Sequence, residues 1–555
     1  MTNKTLTGAA LHPAVDVYVK DANAGKLSRR EFLTRTTALG VTSAAAYGLL
    51  GLEQPAAAAG HAQQGGTMRM QMEVRALKDT RATDWTQIAF VYAGWLEYLV
   101  EYNSDGSFES ALLESWEVND DATIYTLNVR QGVKWNNGDD FTADDVARVI
   151  SDWCDTAAEG NSMAGRMTAL VDTDTGVAAE GAINVTGPHQ VTLNLPKSDI
   201  TLIAGMADYP AAVYHSGFDN ENPLNDMVGT GPYISESHEV GVKSVLVRNE
   251  GHEWWGYAEG RGAFLDRIEF IDYGTDPSAW VAAAAADEID MTYETVGDFV
   301  EVFKSIGYEE SAIASASTIV VRPNQAAEVD GVMPYADVRV RKAIAMAVNN
   351  EVCLELGYAN QGVVARNQHV GPMHPEWADV PATAYDPEGA LALLTEAGMA
   401  DFEMEIVSID DDWRKNTTDA VAAQLRDAGF NVKRTIMPGS TFWNDWTKYP
   451  FSSTNWNHRP LGTQVLGLAY RSGEAWNEFA FSNAEFDTLL DEANALADAD
   501  SRRVVMEKLQ AILTDEAVTI QPYWRTIYRH AKPGFVGWDM HIAYLPHIYK
   551  IAIAA

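Results

Sequence analysis

The chain has 555 residues, of which 46% are apolar and 21% are charged, and its formal net charge is −38 at pH 7. This length suits about two to four domains with a large core. So negative a protein is repelled by nucleic-acid phosphate and by anionic membrane surfaces, which argues against both as partners. Cys154 and Cys353 are too far apart in sequence to suggest a metal site or a redox pair. A disulfide and two buried free thiols both stay open, and free thiols are the preferred interpretation.

Residues 1–59 have the successive zones of an export signal. Ser28 to Leu33 reads S-R-R-E-F-L, with Arg29 and Arg30 as a twin-arginine pair. An uncharged stretch from Thr36 to Leu52 follows, and small residues suited to cleavage end the segment. The apolar stretch is shorter than the roughly twenty residues that a membrane-spanning helix needs. The segment predicts export by the twin-arginine (Tat) translocase across a bacterial inner membrane. The alternative is a twin arginine inside an ordinary N-terminal helix.

The first elements after this segment are a strand and a helix. Met68, Met70 and Met72 alternate with polar residues, which predicts a strand whose Met face belongs to the core. Residues 88–100 are apolar and aromatic enough to predict a buried helix.

The stretch from Trp116 to Val146 is the most informative block. Residues 125–129 alternate between apolar and polar, which predicts a half-buried strand. Asn137-Gly138 predicts a tight turn, because glycine tolerates positive φ. Thr142 and Asp145 have the spacing of a reciprocal helix cap.

The middle of the chain contains one glycine-rich segment, Gly229 to Tyr233, which reads G-T-G-P-Y. It lacks the Lys-Ser/Thr of a phosphate-binding loop, so we interpret it as a tight turn that opens a strand. Further along, the patterns predict strands at 191–195, 268–273, 318–322, 403–409, 431–436 and 520–527, and helices at 278–286, 337–349, 387–398, 419–428, 482 onwards and 501–515. The strand–helix–strand order around residues 403–436 favours a parallel α/β layer.

These blocks, in this order, resemble the family 5 extracellular solute-binding proteins, the large dipeptide, oligopeptide and nickel receptors of ABC importers. The resemblance lies in the Trp116–Val146 block, in G-T-G-P-Y followed by Arg248-Asn249 and Trp254-Trp255, and in the D-V-R-V-R-K-A-I segment from Asp337. It extends from residue 65 to about residue 550.

The resemblance implies an α/β, two-lobed periplasmic binding protein of type II, in the large cluster whose lobe I carries an extra subdomain. Lobe I would comprise residues 60–105, 201–315 and 519–555, the extra subdomain residues 106–200, and lobe II residues 316–518. Crossing strands would form the hinge on which the lobes close over a solute. The implied function is a monomeric periplasmic receptor, without cofactor or enzymatic activity, that captures a peptide-like or amino-acid-conjugate solute. It would deliver that solute to an ABC permease and its ATPase subunits.

The segment Trp456-Asn457-His458-Arg459 is the main candidate for ligand binding. Peptide-binding members of the family have a Trp here followed shortly by an Asp that pairs with the ligand's α-ammonium. Trp456 matches that Trp, but residues 457–459 contain no acid, and Arg459 falls where the Asp would be. Arginine is a planar donor suited to carboxylate or phosphate, so we hypothesise an anionic or acceptor group on the ligand. The alternative is that Arg459 pairs with one of the protein's own acids between the lobes.

Three more aromatic residues are candidates for the pocket. Trp413 belongs to an aromatic-rich part of lobe II, and the resemblance places Phe90 and Trp524 near family pocket positions. Aromatic side chains provide contact area with few rotatable bonds, although each of these could instead belong to the core.

Motifs of hydrolytic enzymes and metal sites are absent from the sequence. There is no G-x-S-x-G, His252-Glu253 is not followed by the second histidine of a zinc helix, and His541 and His547 do not share a helix face. Two other classes stay open, a Tat-exported hydrolase acting on a glycan and a receptor that signals or acts as a chaperone. Within the binding class, the ligand could also be an opine, an oligosaccharide or a metal chelate.

Overall fold

The computed structural model describes residues 11–54, 62–496 and 499–555. The helices it describes are α1 (Ala14–Asn23), α2 (Arg29–Ala38), α3 (Ser43–Leu49), α4 (Thr86–Tyr92), α5 (Ala143–Trp153), α6 (Met163–Arg166), α7 (Leu202–Met206), α8 (Pro277–Ala285), α9 (Phe299–Ser305), α10 (Val338–Met346), α11 (Asn350–Tyr358), α12 (Pro387–Glu396), α13 (Trp413–Asp427), α14 (Gly439–Phe442), α15 (Gly462–Tyr470), α16 (Ala484–Ala495) and α17 (Ala499–Asp515). The strands are β1 (Ala62–Gln63), β2 (Thr67–Gln71), β3 (Glu97–Tyr98), β4 (Val100–Tyr102), β5 (Phe108–Ser110), β6 (Leu113–Val118), β7 (Ile124–Val129), β8 (Ile183–Gly187), β9 (Gln190–Asn194), β10 (Ala212–Val213), β11 (Tyr233–Glu239), β12 (Lys243–Arg248), β13 (Arg267–Ile271), β14 (Met291–Thr292), β15 (Glu309–Pro323), β16 (Gly362–Val364), β17 (Met404–Ile409), β18 (Val432–Met437), β19 (Phe451–Trp456), β20 (Tyr523–Ala531), β21 (Phe535–Val536) and β22 (Ala552–Ala554).

An 11-stranded sheet runs through both halves of the molecule in the order β11-β12-β13-β2-β14-β20-β15-β19-β17-β18, with β16 attached to β20. We call the half built on β2 and β11–β14 lobe I, and the half built on β17–β19 lobe II. The long strand β15 joins them. Its first part pairs with β20, for example Ile313 with Ile527, and its last part pairs with β19, for example Val320 with Thr454. The strand–helix–strand layer predicted in lobe II is confirmed, because β17 and β18 are parallel neighbours.

The Trp116–Val146 block folds as its local chemistry predicts. Strands β6 and β7 form two neighbours of a four-stranded antiparallel sheet with order β6-β7-β9-β8. Gly138 has a φ of +98°. The capping box at the start of α5 is present, and the backbone N–H of Thr142 donates to the Asp145 carboxylate at 3.0 Å. This sheet and α5 lie inside the segment proposed as the extra subdomain.

Several predicted elements differ from the structure. The helix predicted for residues 88–100 is wrong beyond Tyr92, because the chain turns at Gly94 and continues as β3 and β4, which pair with β10 and β5. Cross-strand pairing with distant segments outweighs the helical pattern there. The cap predicted at Ser482 is provided by Asn483, whose side chain accepts from the Phe486 N–H.

The N-terminal segment forms three helices with a core of their own. Ser28 and Glu31 make a capping box, which starts α2 at Arg29. Arg29 is exposed and Arg30 is half-buried, whereas Phe32 and Leu33 are fully buried. The twin-arginine pair therefore lies in a helix, and its role in export stays a prediction. Residues 1–10 and 55–61 of the predicted signal lie outside the described residues.

Both cysteines are buried and carry free thiols. Burial raises the pKa of the Cys154 and Cys353 thiols to about 12, so both are protonated and inert. This agrees with the interpretation preferred from the sequence.

Candidate functional site

The two lobes are in contact with each other in this structure. Trp85 of lobe I packs on Trp443 of lobe II, with ring centroids 4.1 Å apart. The Arg75 guanidinium lies over both indoles, at 4.7 and 5.7 Å from their centroids. Aromatic packing and cation–π contacts among Trp85, Trp443 and Arg75 thus hold the two lobes together at this place.

Arg459 makes an ion pair across the cleft. Its Nε lies 2.9 Å from Oδ2 of Asp208, a residue in the segment assigned to lobe I. The same oxygen accepts from Nε and Nη2 of Arg166, at 2.9 and 2.6 Å. Burial alone would raise the pKa of Asp208, but the Arg166 and Arg459 guanidinium groups hold it below its usual value. The internal acid considered as the alternative partner of Arg459 is therefore present.

This cluster carries an excess of positive charge. Two guanidinium groups share one carboxylate, and all three side chains are at least nine-tenths buried. Trp476 lies beneath both arginines, at 4.8 Å from Arg166 and 5.8 Å from Arg459. Tyr209 supplies a second aromatic face, 5.3 Å from Arg459. Glu474 also interacts with Arg166, but burial raises its pKa to about 7, so it offsets the second guanidinium only in part. The arrangement is an aromatic-walled cluster whose remaining positive charge suits an anion.

Trp456 is held in a fixed orientation at the end of β19. Its Nε1–H donates to Oε1 of Glu478 at 2.8 Å, and Thr454 donates to the same oxygen at 2.6 Å. The other Glu478 oxygen accepts from Arg322 at 2.9 Å. The indole packs edge-on against Trp476, with centroids 5.8 Å apart. The first residue of the predicted segment is thus a rigid wall of the cleft.

The space between the lobes is small in this closed form. A cavity of about 20 Å³ is lined by Trp456, Asn457 and Arg459 together with Tyr209 and Trp85. Such a volume holds about one water molecule, so the lobes must separate to admit a solute. The structure therefore brings three of the four residues of the predicted segment to one inter-lobe pocket.

His458, the fourth residue of that segment, has a different position. Its Nδ1 accepts from the Ala316 N–H at 3.1 Å, and its backbone N–H donates to Ser317 at 3.2 Å. These two residues lie where the register of β15 shifts between lobes. The Nε2 atom lies 3.3 Å from the Tyr102 hydroxyl. His458 thus occupies the strand crossing with both ring nitrogens engaged inside the protein.

Trp413, Phe90 and Trp524 are placed apart from one another. Trp413 lines a second inter-lobe cavity of about 60 Å³, and the Arg525 guanidinium lies 3.7 Å from its ring centroid. Phe90 packs edge-on against Tyr293 in lobe I and lines a separate cavity of about 530 Å³. Trp524 is buried and packs with His369, near the pocket of Trp456.

Asp208, Arg166 and Trp476 were missed from the sequence. A signal existed for two of them, because Asp208 is the one charged residue of the run from Thr201 to Pro210, and Arg166 is likewise alone in its apolar surroundings. A lone charge in an apolar run needs a partner elsewhere in the fold. The sequence does not say which partner.

Two features are absent from the described part of the chain. Within residues 11–54, 62–496 and 499–555, no group of three or more His, Cys, Asp or Glu side chains is placed to hold a metal ion. In the same part of the chain, no helix combines the length and apolar character needed to cross a membrane.

Comparisons with known proteins agree on the class. Residues 107–477 match the model for the middle region of the bacterial extracellular solute-binding proteins, family 5. Heme-binding protein A of Haemophilus influenzae is 24% identical over 459 residues, which cover 76% of this chain and 79% of that protein. The dipeptide-binding protein of Escherichia coli is 22% identical over 480 residues, covering 80% and 85% of the two chains.

Solved structures show the same fold. The AgaA binding protein from A. tumefaciens R10 in complex with agropinic acid has a TM-score of 0.76 at 19% identity and covers 88% of this chain and 99% of its own. The murein tripeptide binding protein MppA of Escherichia coli has a TM-score of 0.78 at 18% identity, with 89% and 99% covered.

The two lobes, the crossing strand and the pocket between the lobes define a periplasmic-type binding protein of mixed α/β structure. The chain belongs to family 5 of the bacterial extracellular solute-binding proteins. It is accordingly a substrate receptor of the kind that serves ABC importers, and not an enzyme.

Proposed function

We propose that this protein captures an anionic, peptide-like or amino-acid-conjugate solute between its lobes in the periplasm and delivers it to an inner-membrane ABC permease with its ATPase subunits. The protein acts as a monomer, and the solute's negative group is held beside Arg459. The receptor role follows from the family, whereas the solute class and the compartment are inferred.

One observation carries the choice of solute. The Arg166–Asp208–Arg459 cluster has two guanidinium groups for one ion-paired carboxylate, and Arg459 is the member that lines the Trp456 pocket. Asp84, which also lines this pocket, is paired with Lys78 at 2.8 Å and does not neutralise the cluster. A peptide α-ammonium placed here would meet a desolvated like charge, which is unfavourable. A carboxylate would instead receive charge-assisted hydrogen bonds.

The relatives differ widely in the solutes that their names state, which include dipeptides, agropinic acid and a nickel complex of L-histidine. Among these classes, an acidic amino-acid conjugate of the opine kind fits the excess positive charge best. A neutral oligosaccharide would leave that charge without a partner, and a peptide bound with its α-ammonium at this place would oppose it.

Export by the twin-arginine route is supported by the S-R-R-E-F-L motif. Arg29 is exposed at the start of α2, so a receptor for the motif can reach it. The Sinorhizobium fredii and Escherichia coli relatives are named as periplasmic proteins, which fits delivery to that compartment.

Native mass spectrometry of the protein purified from the periplasm tests the proposal. We expect a co-purified solute whose released form carries at least one carboxylate or phosphate. Calorimetry with that released solute should then show that Arg459→Ala weakens binding about tenfold or more, as expected for a charge-assisted hydrogen bond. Arg471→Ala is the matched control, because Arg471 pairs with Asp491 at 2.7 Å outside this pocket. Unchanged affinity for Arg459→Ala, or a purely cationic solute, would refute the anionic assignment.

A further inference from the structure

The loop from Ala365 to Glu376 carries two buried histidines that the proposed function does not use. Asn367 and His369 both have positive φ values, +62° and +52°, which are uncommon for residues other than glycine. The loop is held in this conformation because Asn367 Oδ1 accepts from the Gln521 N–H at 2.8 Å and from Asn350 at 3.0 Å. Strained backbone that is fixed by its surroundings is a recurrent feature of binding sites.

Both histidine rings lie against the aromatic walls of the cleft. His369 packs edge-on against Trp456, with centroids 5.4 Å apart, and also contacts Trp524. His374 packs edge-on against Trp524 at 6.0 Å. The exposed fractions of the two histidines are 1% and 3%. The loop therefore packs along the aromatic side chains of Trp456 and Trp524.

Each ring uses one nitrogen and leaves the other without a partner. The Gly371 N–H donates to Nδ1 of His374 at 3.1 Å, so the proton of this imidazole lies on Nε2. Nδ1 of His369 lies 2.9 Å from the Tyr470 hydroxyl, a group that can donate to this nitrogen and so leave the ring proton on Nε2. Among the described residues, neither Nε2 atom has a hydrogen-bond partner. Burial lowers the pKa of His369 to about 3 and that of His374 to about 4, so both rings are neutral.

We propose that His369 and His374 form a donor pair that binds a carboxylate or carbonyl oxygen of the captured solute through their Nε2–H groups. The proposal rests on the receptor function and extends the pocket from Arg459 to Trp524. The solute would then have acceptor groups at two places, one facing Arg459 and one facing the histidines, with an apolar part between Trp456 and Trp524. Buried donors left unsatisfied in the free protein gain most from such an acceptor.

The tautomer of His374 argues against a metal at this pair. A metal ion would bind the lone pair of Nε2, which requires moving the ring proton to Nδ1. That proton would then face the Gly371 N–H, and a hydrogen bond that orders the loop would be lost. An oxygen acceptor needs no such rearrangement.

Long-range ¹H–¹⁵N spectra of the histidine rings test the proposal in the wild-type chain. We expect His374 to show a protonated Nε2, and titration with acetate and benzoate to shift the Nε2 signals of His369 and His374. His530 is the internal reference, because it is fully buried, has no hydrogen bond at either ring nitrogen and packs on Phe303 away from the cleft. The proposal is overturned if the ring proton of His374 lies on Nδ1. It is also overturned if neither carboxylate shifts the Nε2 signals, or if the His530 signals shift equally.

Variants provide the second measurement. His374→Phe should reduce the fraction of protein that retains its co-purified solute in native mass spectra, with affinity about tenfold weaker, while His530→Phe leaves retention unchanged. Ni²⁺ alone should not shift the ring signals of His369 and His374. A shift would contradict the proposal and indicate that the pair binds a metal ion. If wild-type protein carries a solute and His374→Phe retains it equally, the histidine pair is refuted while the receptor function stands.

Discussion

Glu478 is fully buried behind Trp456 and accepts hydrogen bonds from Trp456, Thr454 and Arg322 at the same time. The Arg322 side chain is equally buried and gives its other nitrogens to the carbonyls of Tyr449 and Trp446. The carboxylate thus fixes one wall of the pocket and neutralises a guanidinium that water cannot reach. The orientation of Trp456 depends on this one acid.

We predict that Glu478→Gln lowers the stability of the protein strongly. The substitution keeps the shape but leaves Arg322 as an unpaired buried charge, which typically costs about 3 kcal/mol or more. The midpoint of urea unfolding measures the change. Asp445→Asn is the matched control, because Asp445 pairs with Lys448 at the exposed surface, 2.8 Å away, and its loss should have little effect. Equal shifts for both variants would contradict the buried ion pair.

The buried histidines also set how stability responds to pH. Burial lowers the pKa of His369 and His541 to about 3 and that of His374 to about 4, against about 6.5 in the unfolded chain. Above pH 6.5 these imidazoles are largely unprotonated in both the folded and the unfolded protein. Below pH 6.5 the unfolded protein binds more protons at these histidines than the folded protein does. Stability therefore falls on acidification, by up to about 1.4 kcal/mol per pH unit for each histidine.

We predict that the melting temperature falls between pH 6.5 and 5, because the buried histidines outnumber Glu97 and Glu474, whose pKa burial raises to about 7 and which oppose the fall. His374→Phe should make this fall shallower, because one neutral imidazole no longer takes up a proton on unfolding. Thermal unfolding followed at several pH values measures the slope. An unchanged slope in the variant would show that His374 is protonated in the folded protein.

At the scale of elements, the N-terminal helices contact the rest of the chain through specific hydrogen bonds. Thr34 donates to the Gly106 carbonyl at 2.7 Å, and the Phe108 N–H donates to Thr37 at 2.8 Å. Arg35 reaches the other side of the cleft, where it donates to the Pro375 carbonyl at 3.0 Å. Helix α2 therefore bridges the start of β5 and the histidine loop in the full chain.

We predict that Thr37→Val in the full-length chain exposes the Phe108 amide to solvent exchange, because its buried N–H loses its acceptor. Thr36→Val is the matched control, since Thr36 is equally buried but bonds to Phe32 within its own helix at 2.7 Å. Hydrogen exchange of the peptide that contains Phe108 measures the difference. Equal protection in both variants would mean that α2 does not dock on β5.

At the scale of the whole molecule, buried and exposed ion pairs hold distant parts of the chain together, and they are expected to differ in how strongly they stabilise the closed form. Asp208 is shared by Arg166 and Arg459 in a buried cluster. Lys197, in the segment proposed as the extra subdomain, pairs with Asp491 of lobe II at 2.8 Å, but this pair is partly exposed and screened by water. The buried cluster is therefore expected to dominate closure.

We predict that Asp208→Asn shifts the solute-free protein toward an open form, because two buried guanidinium groups then face each other without a counter-charge. Small-angle X-ray scattering should show a larger radius of gyration. Asp491→Asn should leave the radius nearly unchanged. If Asp208→Asn stays as compact as the wild-type protein, the cluster does not control closure.

Local chemistry was sufficient to predict many elements of this chain. The strand β7, the turn at Gly138 and the capped start of α5 depend on residues within a few positions of one another, so their patterns are visible in the sequence. The helix predicted beyond Tyr92 failed for the opposite reason, because β3 and β4 exist through pairing with β10 and β5.

Residue identity and spacing were enough to predict the α/β class, much of the order of the elements and the missing acid after Trp456. What those residues face depends on the tertiary structure. Asp208 reaches Arg459, and His369 and His374 reach Trp456 and Trp524, across long stretches of chain and between lobes. Such contacts arise when a fold closes distant segments on each other, and no local pattern of charge or hydrophobicity specifies which buried side chains will meet.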